Sequence, residues 1–411
     1  MVRNRCGIEI RLLTAILGVL LLAGAIVGCG SDVGEENADG RGGERGSAAT
    51  TGASTAPEGG HQASGAAREQ GGLDVEVVSP GGSYIPVGFG EGALWAIAPF
   101  TCNDTFSASG SGSASSSGGA SFPSTIMMEA SAQAMCTPPD ETLLRRLDPQ
   151  TGEEVAAIPL EGFFEEASGQ VAVGAGSGWA LGASEDSHLL LRVDPETNRV
   201  ADRIPLDSPP TSLAFGRGSV WVASSGRGTL SRVDPRTGEV AAKIEVGRGA
   251  TDVAVDVGSG DVWVACWGGA EPEHNQLSRV DPEAGRVVAQ IPMIEHARYG
   301  GPQGVAVGGG AVWAQGARGG LFKVDPVTNE VVAERDLGGY STSDLAAYGG
   351  AVWIAAQVSV GTRLYRIDPR TARVVASEHG PDPSGGGFGG LVAGGGYVWF
   401  ESGDGLARVV P

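Results

Sequence analysis

Seven polar residues in the second half of the chain have side chains of the types that can bind a cation or a polar ligand. They are Asp252, His274, Glu295, His296, Arg298, Asp344 and Glu401. Carboxylates combined with an imidazole can hold a divalent cation at neutral pH, where histidine is largely unprotonated. We therefore expect Mg²⁺ or Ca²⁺, or else a polar ligand, if the fold brings these side chains together. If it leaves them dispersed, they form a solvated rim of loops.

Motifs for other chemistries do not occur in the sequence. There is no His-x-x-His or Cys-x-x-Cys pair, no Gly-x-Ser-x-Gly elbow and no phosphate-binding glycine motif. The glycine-rich segments have the spacing of hairpin turns. Whether the protein catalyses a reaction is left open by these observations.

A repeated unit positions the candidate residues. Seven of the eight tryptophans lie in short apolar segments that follow a turn rich in small residues. These segments are ALWAIA (Trp95), SGWALG (Trp179), SVWVAS (Trp221), DVWVAC (Trp263), AVWAQG (Trp313), AVWIAA (Trp353) and YVWFES (Trp399). A strand-like unit that recurs at a period of about 40 to 50 residues is typical of a β-propeller.

Each repeat divides into four short strands. The third copy, TSLAFGRGSVWVASSGRGTLSRVDPRTGEVAAKIEVG, shows four apolar segments separated by turn residues. An Asp-Pro pair marks the last turn, because proline fixes φ, aspartate accepts backbone hydrogen bonds, and a Gly or Asn that follows takes the left-handed conformation. The aspartates of these turns are Asp148, Asp194, Asp234, Asp281, Asp325 and Asp368.

The seventh repeat is incomplete, since the chain ends after its third strand. The strand-like segment 73–78, LDVEVV, precedes the first repeat and could supply the missing strand by pairing with residues 406–410. Such pairing would remove an open sheet edge. The sequence therefore predicts an all-β fold over residues 73–411: a seven-bladed β-propeller of four-stranded blades, closed by an N-terminal strand.

The irregular connections of this fold should lie on one face. Loops that join the second to the third strand, and one blade to the next, emerge together there and include a low-complexity insertion at 99–141. Variable loops on a rigid scaffold commonly carry function. We also expect a ring around the mouth from the residues just before each first strand, with Gln170, Ser212, Asp252 and Asp344 polar and with Gly304 and Gly390 leaving space.

The N-terminal region has the features of a bacterial lipoprotein. Residues 1–28 combine a basic start with an apolar segment, as in a signal peptide. They end in Ile-Val-Gly before Cys29, which we predict to be acylated, including by palmitate, and to anchor the protein to a membrane. Residues 29–72 have the composition of a flexible tether. An uncleaved membrane anchor and a simple signal peptide are the alternatives.

Charge and cysteine usage agree with an exported, extracytoplasmic protein. Loss of three Arg and one Glu with residues 1–28 takes the formal net charge from −20 to −22, which argues against nucleic-acid binding. Cys102 and Cys136 flank most of the insertion and are predicted to form a disulfide bond. Cys266 is expected to be a small buried residue. We expect a monomer.

The repeat pattern VAVG-G-VWVA…L-RVDP-TGEVVA resembles that of the YVTN/streptogramin-lyase-like group of bacterial seven-bladed propellers, over about residues 73–411. Streptogramin B lyases in that group open a cyclic depsipeptide by elimination, with magnesium held by glutamates and a histidine as acid and base. The resemblance makes Glu401, after Trp399-Phe400, and His296 candidate remnants of such a site. Two functions follow as hypotheses: a lipid-anchored scaffold or sensor that binds a ligand or protein at the cell envelope, and a metal-dependent lyase or lactonase.

Overall fold

The computed structural model describes residues 72–80, 85–97, 142–160, 171–184, 187–269, 271–338, 341–358, 362–379, 390–402 and 405–411. Cys29, Cys102, Cys136 and Gln170, with the predicted signal, acylation, tether, disulfide and insertion, lie outside these residues. No helix in the described ranges has the length and apolar character needed to cross a membrane.

The described chain is almost entirely β-strand, arranged in seven four-stranded antiparallel sheets. Strand β1 (Val75–Pro80) comes first and joins the last sheet. Blade 1 holds β2 (Ile85–Gly90), β3 (Ala93–Ile97), β4 (Thr142–Leu147) and β5 (Glu154–Leu160). Blade 2 holds β6 (Val171–Gly174), β7 (Ser177–Ser184), β8 (Ser187–Asp194) and β9 (Arg199–Leu206). Blade 3 holds β10 (Ser212–Gly216), β11 (Ser219–Ser224), β12 (Thr229–Val233) and β13 (Val240–Glu245).

The remaining blades repeat this order. Blade 4 holds β14 (Ala250–Val255), β15 (Val262–Cys266), β16 (Gln276–Asp281) and β17 (Arg286–Pro292). Blade 5 holds β18 (Pro302–Gly308), β19 (Ala311–Gly316), β20 (Gly320–Asp325) and β21 (Glu330–Asp336). Blade 6 holds β22 (Ser341–Tyr348), β23 (Ala351–Gln357), β24 (Thr362–Asp368) and β25 (Arg373–His379). Blade 7 holds β26 (Leu391–Gly394), β27 (Tyr397–Ser402), β28 (Gly405–Val409) and β1. Two short 3-10 helices, η1 (Pro272–His274) and η2 (Ile294–Tyr299), lie in loops.

The seven sheets form a ring. The first strand of each sheet contacts the first strand of the next, and β26 of blade 7 contacts β2 of blade 1. The first strands therefore line the axis, and the fourth strands form the outer edge. This arrangement confirms the predicted seven-bladed propeller. Blade 7 takes its fourth strand from the other end of the chain: Val75 lies opposite Val409, and Pro80 lies opposite Gly405.

The repeated tryptophans form the core between blades. Each of the seven is fully buried. Trp221 of blade 3, for example, packs with Val253, Val262 and Val264 of blade 4, and the other six are placed equivalently. Six of them donate the indole N–H to the backbone oxygen five residues earlier. Burial of these rings therefore stabilises blade-to-blade packing and leaves most of their polar atoms satisfied.

A basic residue on the third strand contacts the tryptophan of its own blade and, in five blades, the turn of the next blade. In every blade an Arg or Lys side chain lies over the ring of its own tryptophan, at 5.3 to 5.9 Å from the ring centre. In five blades it also donates to a backbone oxygen in the Asp-Pro turn of the following blade, as Arg279 does to Pro326 at 2.5 Å. Arg408 of blade 7 donates to Pro149 of blade 1 at 2.7 Å and also ion-pairs with Glu76 of β1 at 2.9 Å.

The Asp-Pro turns have the predicted chemistry. Asp148 Oδ1 accepts hydrogen bonds from the N–H groups of Gln150 and Thr151 at 2.7 and 3.0 Å, and the other five aspartates repeat the bond to the residue two positions on. These backbone donors lower the pKa of the Asp148 carboxyl. A residue of positive φ closes each turn, with φ of 73° at Gly152 and 54° at Asn198.

Candidate functional site

The mouth of the central channel is built from the first strands. In β14, β18 and β22 the ladder to the second strand contains a bulge near the start of the strand, directly before Asp252, Gly304 and Asp344. From the sequence we expected these three residues just before their first strands. The strands begin earlier, because the ladder continues on the N-terminal side of each bulge. Bulges commonly re-aim a side chain next to a site. The three equivalent positions thus belong to one rigid ring.

Asp252 is held by three neutral donors on three consecutive blades. Its Oδ1 accepts from the hydroxyl of Ser212 in blade 3 at 2.7 Å and from its neighbour's N–H at Val253 at 2.8 Å. Its Oδ2 accepts from the N–H of Val305 in blade 5 at 2.8 Å. The carboxylate is therefore fixed in position, and it presents negative charge at the ring.

Asp344 repeats this arrangement two blades further on. Its Oδ2 accepts from the N–H of Leu391 in blade 7 at 3.1 Å, as Asp252 does from Val305. Protein atoms enclose the carboxyl group, although the residue keeps some accessible surface. Burial first, and then the negative charge of Asp252, raise the pKa of Asp344 to about 7, against the lowering effect of the Leu391 and Gly390 N–H groups. The two carboxylates are thus electrostatically coupled.

Gln315 is a site residue that the sequence analysis missed. It lies opposite Gly304 in the ladder between β18 and β19. The side chain is 1% exposed, and its Oε1 is buried without a hydrogen-bond partner among the described residues. A Cβ placed on Gly304 would lie 3.8 Å from this Oε1 and 3.9 Å from Asp252 Oδ2, with no atom closer than 3.7 Å. Gly304 therefore leaves space between two oxygen acceptors.

A comparison of repeats shows a signal that could have identified Gln315. Two residues after the tryptophan, three blades have an alanine: Ala223, Ala265 and Ala355. In blades 5 and 7 the same position holds Gln315 and Glu401, and the facing first-strand positions are Gly304 and Gly390. A long polar side chain on the second strand is thus paired with glycine on the first. Glu401 lies on β27, the second strand of blade 7, and is half-buried.

The remaining predicted residues lie in the loops, in two groups. His296 Nδ1 lies 2.5 Å from Glu334 Oε2, and Arg298 ion-pairs with the same carboxylate. Glu334 belongs to β21, the outer strand of blade 5, so η2 folds toward the outer edge. Burial, opposed by Glu295 and assisted by Arg298, lowers the pKa of His296. Glu295 itself is exposed.

His274 belongs to a separate exposed group on η1. Its Nε2 lies 3.1 Å from Glu271 Oε2, which also ion-pairs with Arg248 Nη1 at 2.8 Å. The ligand atoms of Glu271, Glu273 and His274 all lie within 4.8 Å of one another. This is the one such acidic or histidine group in the described part of the chain. Arg248 already neutralises one of its carboxylates, so it forms a solvated ion-pair cluster.

Comparisons with known proteins bear on the fold alone. No protein-family profile matches the chain, and no curated protein matches it. Among solved structures, Kuenenia stuttgartiensis hydrazine synthase is similar at a TM-score of 0.50 and 16% sequence identity, over 58% of this chain and 74% of that one. An identity this low supports similarity of architecture and says nothing about a shared activity.

Proposed function

We propose that the protein is a lipid-anchored, extracytoplasmic β-propeller that binds a ligand or a partner protein at the cell envelope, as a scaffold or sensor, through the mouth of its channel. One observation carries the proposal: rigid first strands hold Asp252 and Asp344 in a ring beside a buried acceptor, Gln315 Oε1, that has no partner among the described residues. Preorganised polar groups of this kind fix the orientation of a ligand.

The membrane attachment rests on the sequence at residues 1–72. An apolar signal that ends at Ile-Val-Gly-Cys29 and is followed by a polar tether supports acylation at Cys29. Replacement Cys29→Ser should release the protein from the membrane fraction or leave it unprocessed. A Cys29→Ser protein that is still processed and membrane-bound would contradict the anchor.

The choice of partners follows from charge and from the repeat pattern. A formal net charge of −20 for the full chain disfavours nucleic acid and favours a monomeric body that binds a protein or a small molecule. The resemblance to the YVTN/streptogramin-lyase-like group supports the same architecture. The lyase or lactonase alternative, with Mg²⁺ or Ca²⁺, receives less support because its candidate acid and base, His296, lies against Glu334 on the outer strand of blade 5.

Capture from membranes tests the binding role. The acylated wild-type protein and a Gly304→Met variant would be used to retrieve partners from detergent-solubilised envelopes. Methionine should fill the mouth, because the space at Gly304 has no atom within 3.7 Å of an added Cβ. Arg236→Ala, at a side chain that is 84% exposed in an Asp-Pro turn, is the control. We expect wild type and Arg236→Ala to retain the same ligand or protein and Gly304→Met to lose it; equal retention by all three would contradict a site at the mouth.

A further inference from the structure

Resting on the proposed function, the geometry points to a specific ligand chemistry: we propose that the channel mouth binds a protonated aliphatic amine, held by Asp252 and Asp344 with Gln315 Oε1 as a further acceptor. The ammonium group would come from a free polyamine or from a lysine side chain of a partner.

The charge of the mouth calls for a cation. Asp252 and Asp344 occupy equivalent positions in blades 4 and 6, and each is fixed by an N–H of the next blade. Burial first, and then repulsion by the Asp252 carboxylate, hold the pKa of Asp344 well above its ordinary value. A bound positive charge would relieve this repulsion and would be attracted by both groups.

Gln315 indicates a ligand that donates hydrogen bonds. A buried carbonyl without a partner costs the desolvation of that group, so such atoms are rare in proteins and usually have a role. Gln315 Oε1 and Asp252 Oδ2 lie 3.8 and 3.9 Å from the position of a Cβ at Gly304. The terminal torsion of a glutamine is broad, so the amide can turn toward a ligand at low cost. Two of the three atoms nearest to this space are oxygen acceptors, which favours a group with N–H donors.

The carboxylates of the mouth favour ammonium over a metal ion, because in the described residues they do not form a compact group of three ligands. Mg²⁺ or Ca²⁺, bound at roughly 2.0–2.6 Å, needs oxygens within about 5 Å of one another. In the described part of the chain, Asp252, Asp344 and Glu401 do not form a group of three with ligand atoms within 4.8 Å of one another. An ammonium donates over roughly 2.7–3.2 Å and so reaches acceptors about 6 Å apart. The space at Gly304 would take its slender alkyl chain. The expectation that Gly390 also leaves space was wrong, because a Cβ at Gly390 would lie 1.9 Å from the Pro86 backbone oxygen.

Calorimetric titration of the full acylated protein in detergent at pH 8 tests this inference. The probes are 1,5-diaminopentane, the peptide acetyl-Gly-Lys-Gly-amide, butyltrimethylammonium, CaCl₂ and MgCl₂. We expect the diamine, the peptide or both to bind with one site per chain. The trimethylated probe, which has the charge without N–H donors, should bind at least tenfold more weakly. Tighter binding of the diamine would identify a soluble polyamine as the ligand, and tighter binding of the peptide a protein.

Two substitutions at one position give opposite expected results. Gln315→Leu removes the acceptor and should weaken amine binding about tenfold, whereas Gln315→Glu adds a charge and should strengthen it. The gain in the second variant cannot be explained by misfolding. Arg236→Ala should leave the affinity unchanged.

Three results would overturn the inference: equal binding of the trimethylated probe, binding of Ca²⁺ or Mg²⁺ without binding of amines, or affinities that do not respond to either Gln315 variant. If amines fail to bind while Gly304→Met still abolishes capture from membranes, the amine inference is wrong and the proposed function stands. If amines bind as expected while capture from membranes does not depend on Gly304, the amine site stands and the proposed function is wrong.

Discussion

Replacement of Asp344 by asparagine should stabilise the protein at alkaline pH and have little effect at acid pH. Asparagine has the size of aspartate and an oxygen that can still accept the Leu391 N–H, but it carries no charge. The folded state raises the pKa of Asp344 from 3.8 to about 7, so it binds the proton more tightly than the unfolded chain does. The free energy of unfolding of the wild type should therefore fall as pH rises from about 4 to about 7, and level off above.

The magnitude follows from the size of the shift. A difference of three pKa units between the folded and the unfolded chain corresponds to about 4 kcal/mol of stability. This value is an upper bound, because interactions in the unfolded chain and ions bound to the folded one both reduce the difference. Asp344→Asn should recover most of this free energy at pH 8 and almost none at pH 4. Thermal unfolding of both proteins across this range measures the difference. In a domain of this size the gain at pH 8 should raise the melting temperature by several degrees.

A second variant separates the two causes of the shift. Asp252→Asn removes the charge that repels the Asp344 carboxylate. The pH range over which this variant loses stability should therefore end at a lower pH than in the wild type. The variant also loses an acceptor for Ser212 or Val305, so the midpoint of the pH dependence is informative and the absolute stability is not. A stability gain in Asp344→Asn that is equal at pH 4 and pH 8 would refute the reasoning.

Three further predictions concern stability. Arg279→Ala should cost about 3 kcal/mol, because it removes charge-assisted hydrogen bonds to Pro326 and Asp261 and the contact over Trp263. Lys323→Ala, which removes one 3.4 Å bond and the contact over Trp313, should cost less; equal losses in denaturant unfolding would argue against the links between blades. Gln315→Leu should raise stability by about 1 kcal/mol in the absence of ligand, since it removes an unpartnered buried oxygen. Deletion of residues 73–79 should bare the edge of β28 and cause a large loss of melting temperature or aggregation, and an unchanged melting curve would contradict that.

The sequence predicted the blades well because each blade repeats the same local chemistry. Tryptophan on the second strand and Asp-Pro in the last turn encode packing and turn geometry within one repeat. The pairing of residues near 75 with those near 409 was also predictable, because one strand was missing and one was spare. The basic residue before Val-Asp-Pro was visible in the sequence, but its bonds to the next blade depend on the angle between sheets.

The site was less predictable because it depends on contacts between repeats. Asp252 and Asp344 were placed at the mouth by repeat position, but their coupling depends on the distance across the ring. Gln315 differs from its counterparts at a position where three repeats have alanine and two have an aliphatic residue, and it becomes notable only beside Gly304. His296 was a candidate from its residue type and from the family resemblance, but its partner Glu334 comes from an outer strand 38 residues later. Loop conformation of this kind is set by tertiary contacts.

The pairing of β1 with β28 makes blade 7 an assembly of two distant pieces of chain. A backbone ladder, the packing of Val75 and Val78 against core residues, and the ion pair of Glu76 with Arg408 link β1 to its sheet. Arg408 is 8% exposed and also stacks on Trp399. No covalent turn joins β1 to β28. A chain that starts after residue 80 should therefore accept a separate peptide spanning residues 72–80. The amount of refolded complex would then increase with the concentration of that peptide. The propeller is in this sense a natural candidate for fragment complementation, with Arg408 as the residue that recognises the incoming strand.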